Sequence, residues 1–535
     1  MPSGSLPRFR VPLQQQRSRD KFFKRLSRNI RHSRYLQPRP LLVIITFSIC
    51  LIYLVFFAGR DHHGTALIYG YLPADPSTDF SRRGNVKYPP TWGRMDKFQK
   101  DLPQHDLDLP FPEGRTGRYV KFSNQIRQLG WNNCLNEMLM NNVLAYETNR
   151  SYVFNDYWWK KEYYHWPKSV RRTKIPRTPL NAIISGPTSG APYGPNDPTP
   201  RSVHEDYYEL ACPKSERRII NTGSIKPAIN EAEGSLIFET WKKVLLDAPE
   251  RCIEVVPEDR KIDGYPQTFD LWFFGSIHSL STWDRFKTSP VSTLLRTSPI
   301  VLAAVERNIH LFRPVTSAPS RALTTAEDPF RRVVAMHVRR GDYKEACNGL
   351  AQWNSSYYNW NLLPELPDQF VRPMGGGYGW NTPENYDIFR AHCLPDIEDI
   401  VKKARDSKKE FIDSHFTKDT ELLSSSLGTN STTTTTEPRR RALDVMYLLT
   451  NDRSSWMKEL IRALRKDGWE TIRTSGDLEL DQLGLDVNMA VDMDIAGRAA
   501  VFVGNGVSFR PVDFSFWKWS FWEWSYLVLC ARHCS

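Results

Sequence analysis

The sequence predicts an α/β protein: two Rossmann-like domains preceded by an N-terminal transmembrane helix and a stem. Three observations carry this. Residues 118–154 read strand, loop, helix, strand. Residues 333–503 repeat that alternation. An uncharged apolar run, Leu41–Gly59, precedes both. A strand–helix–strand unit implies parallel strands joined by a crossover, and two such regions imply two parallel sheets facing a cleft. Hydrophobic residues make up 40% and charged residues 25%, which excludes a disordered chain and a multi-span membrane protein.

The amino-terminal segments come first. Residues 1–40 hold eleven Lys and Arg against the single acid Asp20, so they carry almost all of the net charge of +12. A basic tail on a near-neutral body is not a nucleic-acid-binding domain, and no nucleic-acid partner is expected. At about 1.5 Å of rise per residue, the nineteen residues 41–59 nearly cross a hydrocarbon layer about 30 Å thick. With no small-residue cleavage site and a long basic flank, the run reads as an uncleaved signal anchor. The positive-inside rule then leaves 1–40 in the cytosol and the body in the lumen. The expected location is the Golgi or endoplasmic reticulum membrane, single-pass and type II. Residues 60–115, rich in Pro, Gly, Asp and Arg, read as the stem. Seven of eight cysteines follow the anchor, as do the sequons at Asn149, Asn354 and Asn430. A lumenal body permits both disulfides and N-glycans.

The N-terminal Rossmann-like domain is expected over 116–320. Arg118–Phe122 is a strand. A polar loop to Asn133 leads into a helix with Leu135, Met138, Leu139, Val143 and Leu144 on one face, and Tyr152–Phe154 is the next strand. Residues 157–230 read as an irregular, Pro-rich elaboration outside the core. Leu271–Phe274 reads as a strand and Val291–Ile309 as a helix. The second domain spans 321–513, after a polar, small-residue boundary near 316–328. Val333–Val338 and Val445–Leu449 are dry strands. A helix carrying Met457, Leu460, Ile461 and Leu464 stops at Gly468. A helix near Asn488–Ala500 precedes the strand Val501–Val503. Two insertions interrupt this domain, 348–384 and the Ser/Thr-rich, disordered 423–441. Residues 514–535 form an aromatic tail of unassigned role.

Four segments have the residue types for chemistry. His337-Val338-Arg339-Arg340-Gly341-Asp342 follows a dry strand; Arg presents a fixed fork of donors matched to phosphate, and Gly341 lets the chain turn. By spacing alone, an Arg339–Asp342 salt bridge at a domain edge describes it equally well. Gly130-Trp131-Asn132-Asn133 enters a helix, with Asn132 or Asn133 as the N-cap, and helix starts attract phosphate. Gly504–Ser508 follows a strand with small residues and a hydroxyl. Asp492-Met-Asp494 has the spacing of a nucleotide-bound divalent cation site, although i and i+2 point to different faces of a helix.

In their order and separation, Gly130–Arg150, His337–Cys347, Tyr447–Asp452 and Val491–Ser508 resemble the successive motifs of GDP-fucose-dependent fucosyltransferases, with the protein O-fucosyltransferase group nearest. The resemblance spans roughly 117–510. It implies a GT-B-type fold and an inverting transfer of fucose from GDP-fucose to a protein hydroxyl or a glycan, with no bound metal and no cofactor. It implies donor contacts from Gly130, Trp131, Asn132, Asn133, His337, Val338, Asp492, Ser508 and Phe509. It makes Arg339 the essential group that holds the diphosphate as it departs. Two departures stand out. Phe509 and Arg510 occupy the place where the family carries a second Ser. Leu129 stands where part of the family has a Glu, which leaves Glu137, one turn past Asn133, as the candidate base. Two other readings remain: a metal-dependent glycosyltransferase using Asp492 and Asp494, and a non-catalytic relative that binds glycan or protein.

Cys347 follows the Arg motif and Cys393 follows the first insertion, at the start of a helix; a disulfide between them is expected, with Cys212–Cys252 as a second pair. The run Tyr157–Trp166 reads either as part of an acceptor groove or as a packed cluster.

Overall fold

The computed structural model describes residues 89–314, 327–341, 343–355, 359–364, 366, 370–377, 379–426 and 443–504. The anchor 41–59, the tail 1–40, most of the domain boundary, most of the insertion 423–441 and the tail 514–535 lie outside them. Among the described residues no helix is long and apolar enough to cross a membrane.

Helix α1 (Gly93–Lys100) opens the described chain. Trp92 and Met95 are buried in the main core and Gln104 is buried as well, so residues 89–115 pack on the body rather than stand off it. The first sheet is built from β1 (Tyr119–Phe122), β2 (Ser151–Phe154), β4 (Val203–His204), β5 (Arg217–Asn221) and β6 (Cys252–Val256), in the order β4-β2-β1-β6-β5, all parallel. A short antiparallel pair, β3 (Ile184–Ser185) with β7 (Arg296–Thr297), sits apart. Helix α2 (Trp131–Glu147) joins β1 to β2, α3 (Glu205–Ala211) follows β4, and α4 (Gly234–Asp247) precedes β6. Two faces of the sheet are dry. Val120 and Phe122 point into the main core, whereas Tyr119 packs with Tyr208 and the Cys212–Cys252 disulfide on the other side.

The stretch 157–230 therefore supplies β4, α3 and β5 and is not a bare elaboration. Its strands escape a pattern search because β4 is two residues long and β5, Arg-Arg-Ile-Ile-Asn, is a largely exposed edge strand. Leu271–Phe274 is a helical turn, because the Asp270 carboxylate accepts the Phe273 N–H at 2.9 Å. The expected helix over 291–309 is broken. Ser298 caps a new start at Pro299, giving α5 (Pro299–Arg307), with proline at the position whose N–H needs no partner.

The second sheet has β8 (Val333–His337), β9 (Val445–Leu449), β10 (Thr471–Thr474) and β11 (Val501–Val503), in the order β10-β9-β8-β11, again all parallel. Helices α6 (Tyr343–Gln352), α7 (Pro383–Cys393) and α8 (Ile397–Ser426) lie between β8 and β9. Helix α9 (Ser455–Lys466) precedes β10, and α10 (Asn488–Arg498) precedes β11. Gly468, at φ +96°, ends the α9 turn as expected. The Cys347–Cys393 disulfide ties α6 to α7; Cys393 is the last residue of α7, not the start of a helix.

Helix α5 packs between the halves, and its surroundings lock them. Thr297 donates to Asp494 at 2.8 Å, Asn308 exchanges two hydrogen bonds with the Glu479 backbone, and Arg307 pairs with Asp481 at 3.1 Å. The main core runs continuously through both halves.

Candidate functional site

Strand periodicity decides which side chains reach the space between the sheets. Along β8, Val333 and Ala335 pack into the main core, whereas Val334, Met336 and Val338 pack into a second core with α8 and α9. Continued past the strand, the alternation puts His337 and Arg339 on the main-core side. Both line a cleft of about 1380 Å³. Val338 is buried in the second core, and its N–H extends the ladder to the Leu449 carbonyl at 2.9 Å. Its side chain does not contact the cleft, which corrects that donor-contact assignment. Arg340 likewise turns away: it donates to the Pro395 carbonyl and stacks 3.8 Å from the Trp456 ring centroid. Gly341, at φ +61°, makes the turn that follows. Asp342 lies outside the described residues.

This end of β8 is where the order of the second sheet reverses, with the chain running outward through β9 and β10 and returning beside β8 as β11. Doubly wound sheets bind ligands at such a reversal, beyond the carboxyl ends of the strands. Arg339 is half-buried, with its guanidinium 5.3 Å from the Tyr343 ring centroid. His337 beside it has its pKa pushed down to about 3, first by burial and then by the Arg339 charge. It is therefore a neutral imidazole at any physiological pH.

The start of α2 reaches the same cleft. Gly130 is the N-cap, not Asn132 or Asn133; those two, with Trp131, form the first turn, and all four residues line the cavity. The cap uses only backbone, and an ideal Cβ at Gly130 would meet nothing, so the position does not demand glycine. The preceding Gln128 sits at φ +64°, its N–H donating to the Trp158 carbonyl at 2.9 Å. A left-handed non-glycine residue beside a cleft is stored backbone strain. Helix α2 thus aims its partial positive end at the space that Arg339 lines.

Asp492 lines the cleft from α10, with Tyr447 donating to one carboxylate oxygen and Ser475 donating to the other at 2.7 Å. Ser475 also accepts the Thr450 N–H at 3.1 Å, so one hydroxyl joins the ends of β9 and β10 to Asp492. Asp494 does not line the cleft. It is buried, accepts from Thr297, and pairs with Arg498 at 2.6 Å. The two carboxylates diverge, so the Asp-x-Asp spacing does not make a shared cation site. Among the described residues no group of three or more His, Cys, Asp or Glu side chains converges to hold a metal.

Glu137 is neither in the cleft nor on the surface. It is fully buried, accepts the Ile126 N–H at 2.6 Å, and is held well above the usual carboxylate range by desolvation. It braces the loop before α2 and cannot reach a substrate in the cleft. Asn149 is exposed at φ +51°, as a glycan site requires. Asn354 is only 8% exposed, with its side chain beside Gly376. Ser508, Phe509 and Asn430 lie outside the described residues.

Sequence reasoning missed Ser475 and assigned no role to Tyr447. The signal for Ser475 was a Ser-Gly pair directly after a strand end, hidden because β10 reads Thr-Ile-Arg-Thr. It also missed Trp272 and Trp353, which line the cleft from segments 81 residues apart in sequence.

The chain matches no protein-family model and no curated protein. Among solved structures it is similar to the crystal structure of POFUT1 in complex with GDP-fucose, at 13% identity, over 75% of this chain and 93% of that one, with a TM-score of 0.40. The complex of POFUT1 with GDP is similar at 12% identity, over 74% and 92%, with a TM-score of 0.35. The apo form is similar at 13% identity, over 75% and 93%, with a TM-score of 0.34.

Proposed function

We propose that the cleft is the active site of a lumenal glycosyltransferase that moves fucose from GDP-fucose to a protein or glycan hydroxyl, inverting the sugar and needing no metal. The observation that carries this reading is Arg339 at the carboxyl end of β8, lining the cleft at the sheet reversal with the start of α2 on the same cavity. The donor's identity rests on the motif resemblance of these segments. The two disulfides, Cys212–Cys252 and Cys347–Cys393, support a lumenal body, because such bonds persist in oxidising compartments. The type II anchoring at 41–59 in the Golgi or endoplasmic reticulum belongs to the same proposal.

The chemistry follows from charge. Breaking the bond between fucose and GDP puts negative charge on the β-phosphate and cation character on the sugar. A pre-placed guanidinium and a helix start stabilise the departing diphosphate without reorganising. Asp492, oriented by Tyr447 and Ser475, is an acceptor for donor hydroxyl or amino groups. The neutral His337 supplies a hydrogen bond without adding charge. When bond breaking runs ahead of attack, the acceptor hydroxyl meets an electron-poor carbon and needs no strong base, which agrees with Glu137 being out of reach.

The test is release of GDP from GDP-fucose by the full chain, with and without EDTA. Turnover that survives EDTA, together with a loss of about 10²–10³-fold in Arg339→Ala, is expected. Near-normal turnover in Arg339→Ala, or activity that requires a divalent cation, contradicts the reading.

A further inference from the structure

The cleft is larger than one donor needs. Pockets that bury a single drug-sized ligand run to about 300–1000 Å³, whereas this one encloses about 1380 Å³. The cleft is also lined by aromatic rings from three separate segments. Trp159 and Tyr163 follow β2 and stack with centroids 4.5 Å apart and planes 13° apart. Tyr265 and Trp272 follow β6 and meet edge to face at 5.6 Å. Trp353 follows α6 in the other half and lies 5.7 Å from Trp272.

These rings are held in place yet remain partly in solvent. Tyr163, Trp272, Tyr265 and Trp353 are 36%, 38%, 41% and 45% exposed. Their neighbours in the run 157–166, Tyr157, Tyr164 and Trp166, are buried and fix the loop, with Trp166 donating to Asp486 at 2.8 Å. Lys226 clamps the segment bearing Tyr265 by pairing with Asp263 at 3.0 Å and Asp270 at 2.9 Å. The Cys347–Cys393 disulfide anchors the helix that Trp353 directly follows. Keeping large rings half-exposed on braced loops forgoes their burial, which is the usual reason for such side chains to be ordered. Lys160, Glu162 and His165 line the cleft among them and supply hydrogen-bonding groups.

We propose that these five rings form an acceptor subsite for a saccharide. A pyranose presents a flat C–H face that stacks on an aromatic ring and a rim of hydroxyls that needs donors and acceptors beside it; rings interspersed with Lys160, Glu162 and His165 match both. A peptide that adds as a strand is disfavoured, because none of the five residues belongs to a strand. The inference rests on the sugar-transfer reading above and narrows its acceptor from "protein or glycan" to glycan.

The test uses the full chain in detergent, with tryptophan fluorescence reporting titrations of chitohexaose, mannohexaose, cellohexaose and a Ser/Thr-rich peptide, extended by a glycan array. GDP calorimetry runs in parallel. At least one oligosaccharide is expected to bind. Trp272→Ala and Trp353→Ala each weaken it about tenfold, Trp272→Phe largely restores it, and GDP affinity is unchanged. Silence of the whole array, binding of the peptide alone, or oligosaccharide binding untouched by both alanine variants overturns the proposal. A fall in GDP affinity in Trp272→Ala, with no saccharide effect, also overturns it by assigning the ring to the nucleotide base. Saccharide binding in a protein that ignores GDP and GDP-fucose retains this subsite and removes the donor reading instead.

Discussion

The wall of the cleft that carries Arg339 and Asp492 and the wall that carries Trp159, Tyr163, Tyr265 and Trp272 are built from different materials. The first rises from strand ends of a parallel sheet and from α10, and its polar groups are tied to one another: Tyr447 and Ser475 to Asp492, Ser475 to Thr450. The second rises from loops, and its rings are positioned by clamps behind them, such as Lys226. Strand ends hold a charge in a fixed place, which suits a leaving group of fixed geometry. Loops can differ without disturbing either sheet, which suits the partner that varies between enzymes sharing one donor. Under the proposed function, the difference teaches where to look for each specificity: donor chemistry at the sheet reversal, acceptor chemistry on the loops.

Substitutions can break or sharpen that division. The largest effect is expected from Arg339→Ala, about 3–4 kcal/mol of transition-state stabilisation lost, read as kcat with saturating donor; circular dichroism should be unchanged. Next is Cys347→Ser. Opening a loop with a sequence separation of 46 residues is expected to cost about 2–4 kcal/mol of stability. It should also loosen α6, which carries lining residues from Tyr343 to Leu350 and is followed directly by Trp353. Hydrogen exchange should show the loss confined to α6 and α7, with β8 still protected. Ser475→Ala follows, expected to weaken GDP-fucose binding about tenfold by freeing one oxygen of Asp492, while oligosaccharide affinity stays put. A change in both affinities would merge the two walls into one.

The smallest effect is a pH dependence behind the aromatic wall, where Asp486 accepts from Trp166. Burial raises the Asp486 carboxyl from its ordinary value to about 7, with the Trp166 hydrogen bond opposing the shift. A raised folded pKa means that the native state holds the proton more tightly than the unfolded chain. This contribution to stability is present at low pH and lost as pH rises through about 7. Asp486→Asn, which keeps an acceptor for Trp166, should therefore gain a few degrees in Tm relative to the parent between pH 5 and pH 8. His337, whose pKa is about 3, should contribute no inflection to the transfer rate in that range.

Much of the wall that carries Arg339 was legible in the sequence. The apolar run of β8 and its period of two already separate Arg339 from Arg340 and His337 from Val338, although the alternation has to be followed past the end of the strand to see it. The helix start at Gly130 was legible as an element, but its cap was not, because two asparagines compete for a position that a glycine fills with backbone alone. The edge strands β5 and β10 were not legible: β5 is largely exposed, and β10, Thr-Ile-Arg-Thr, has a single apolar residue. With β10 hidden, Ser475 had no strand end to mark it. The aromatic wall was the least legible. Trp272 and Trp353 meet only because two loops from different halves converge, and no local spacing encodes that. The Glu137 misassignment has a plain cause: an i+4 rule places it on the same helix face as Asn133, but one turn beyond the cleft-lining Asn133 the side chain is fully buried.

The central claim is that Arg339 receives the diphosphate, and calorimetry of GDP against guanosine tests it most directly. The account predicts that the full chain binds GDP much more tightly than guanosine and that Arg339→Ala erases most of the difference while guanosine affinity is unchanged. An equal preference for GDP in the parent and in Arg339→Ala would contradict it.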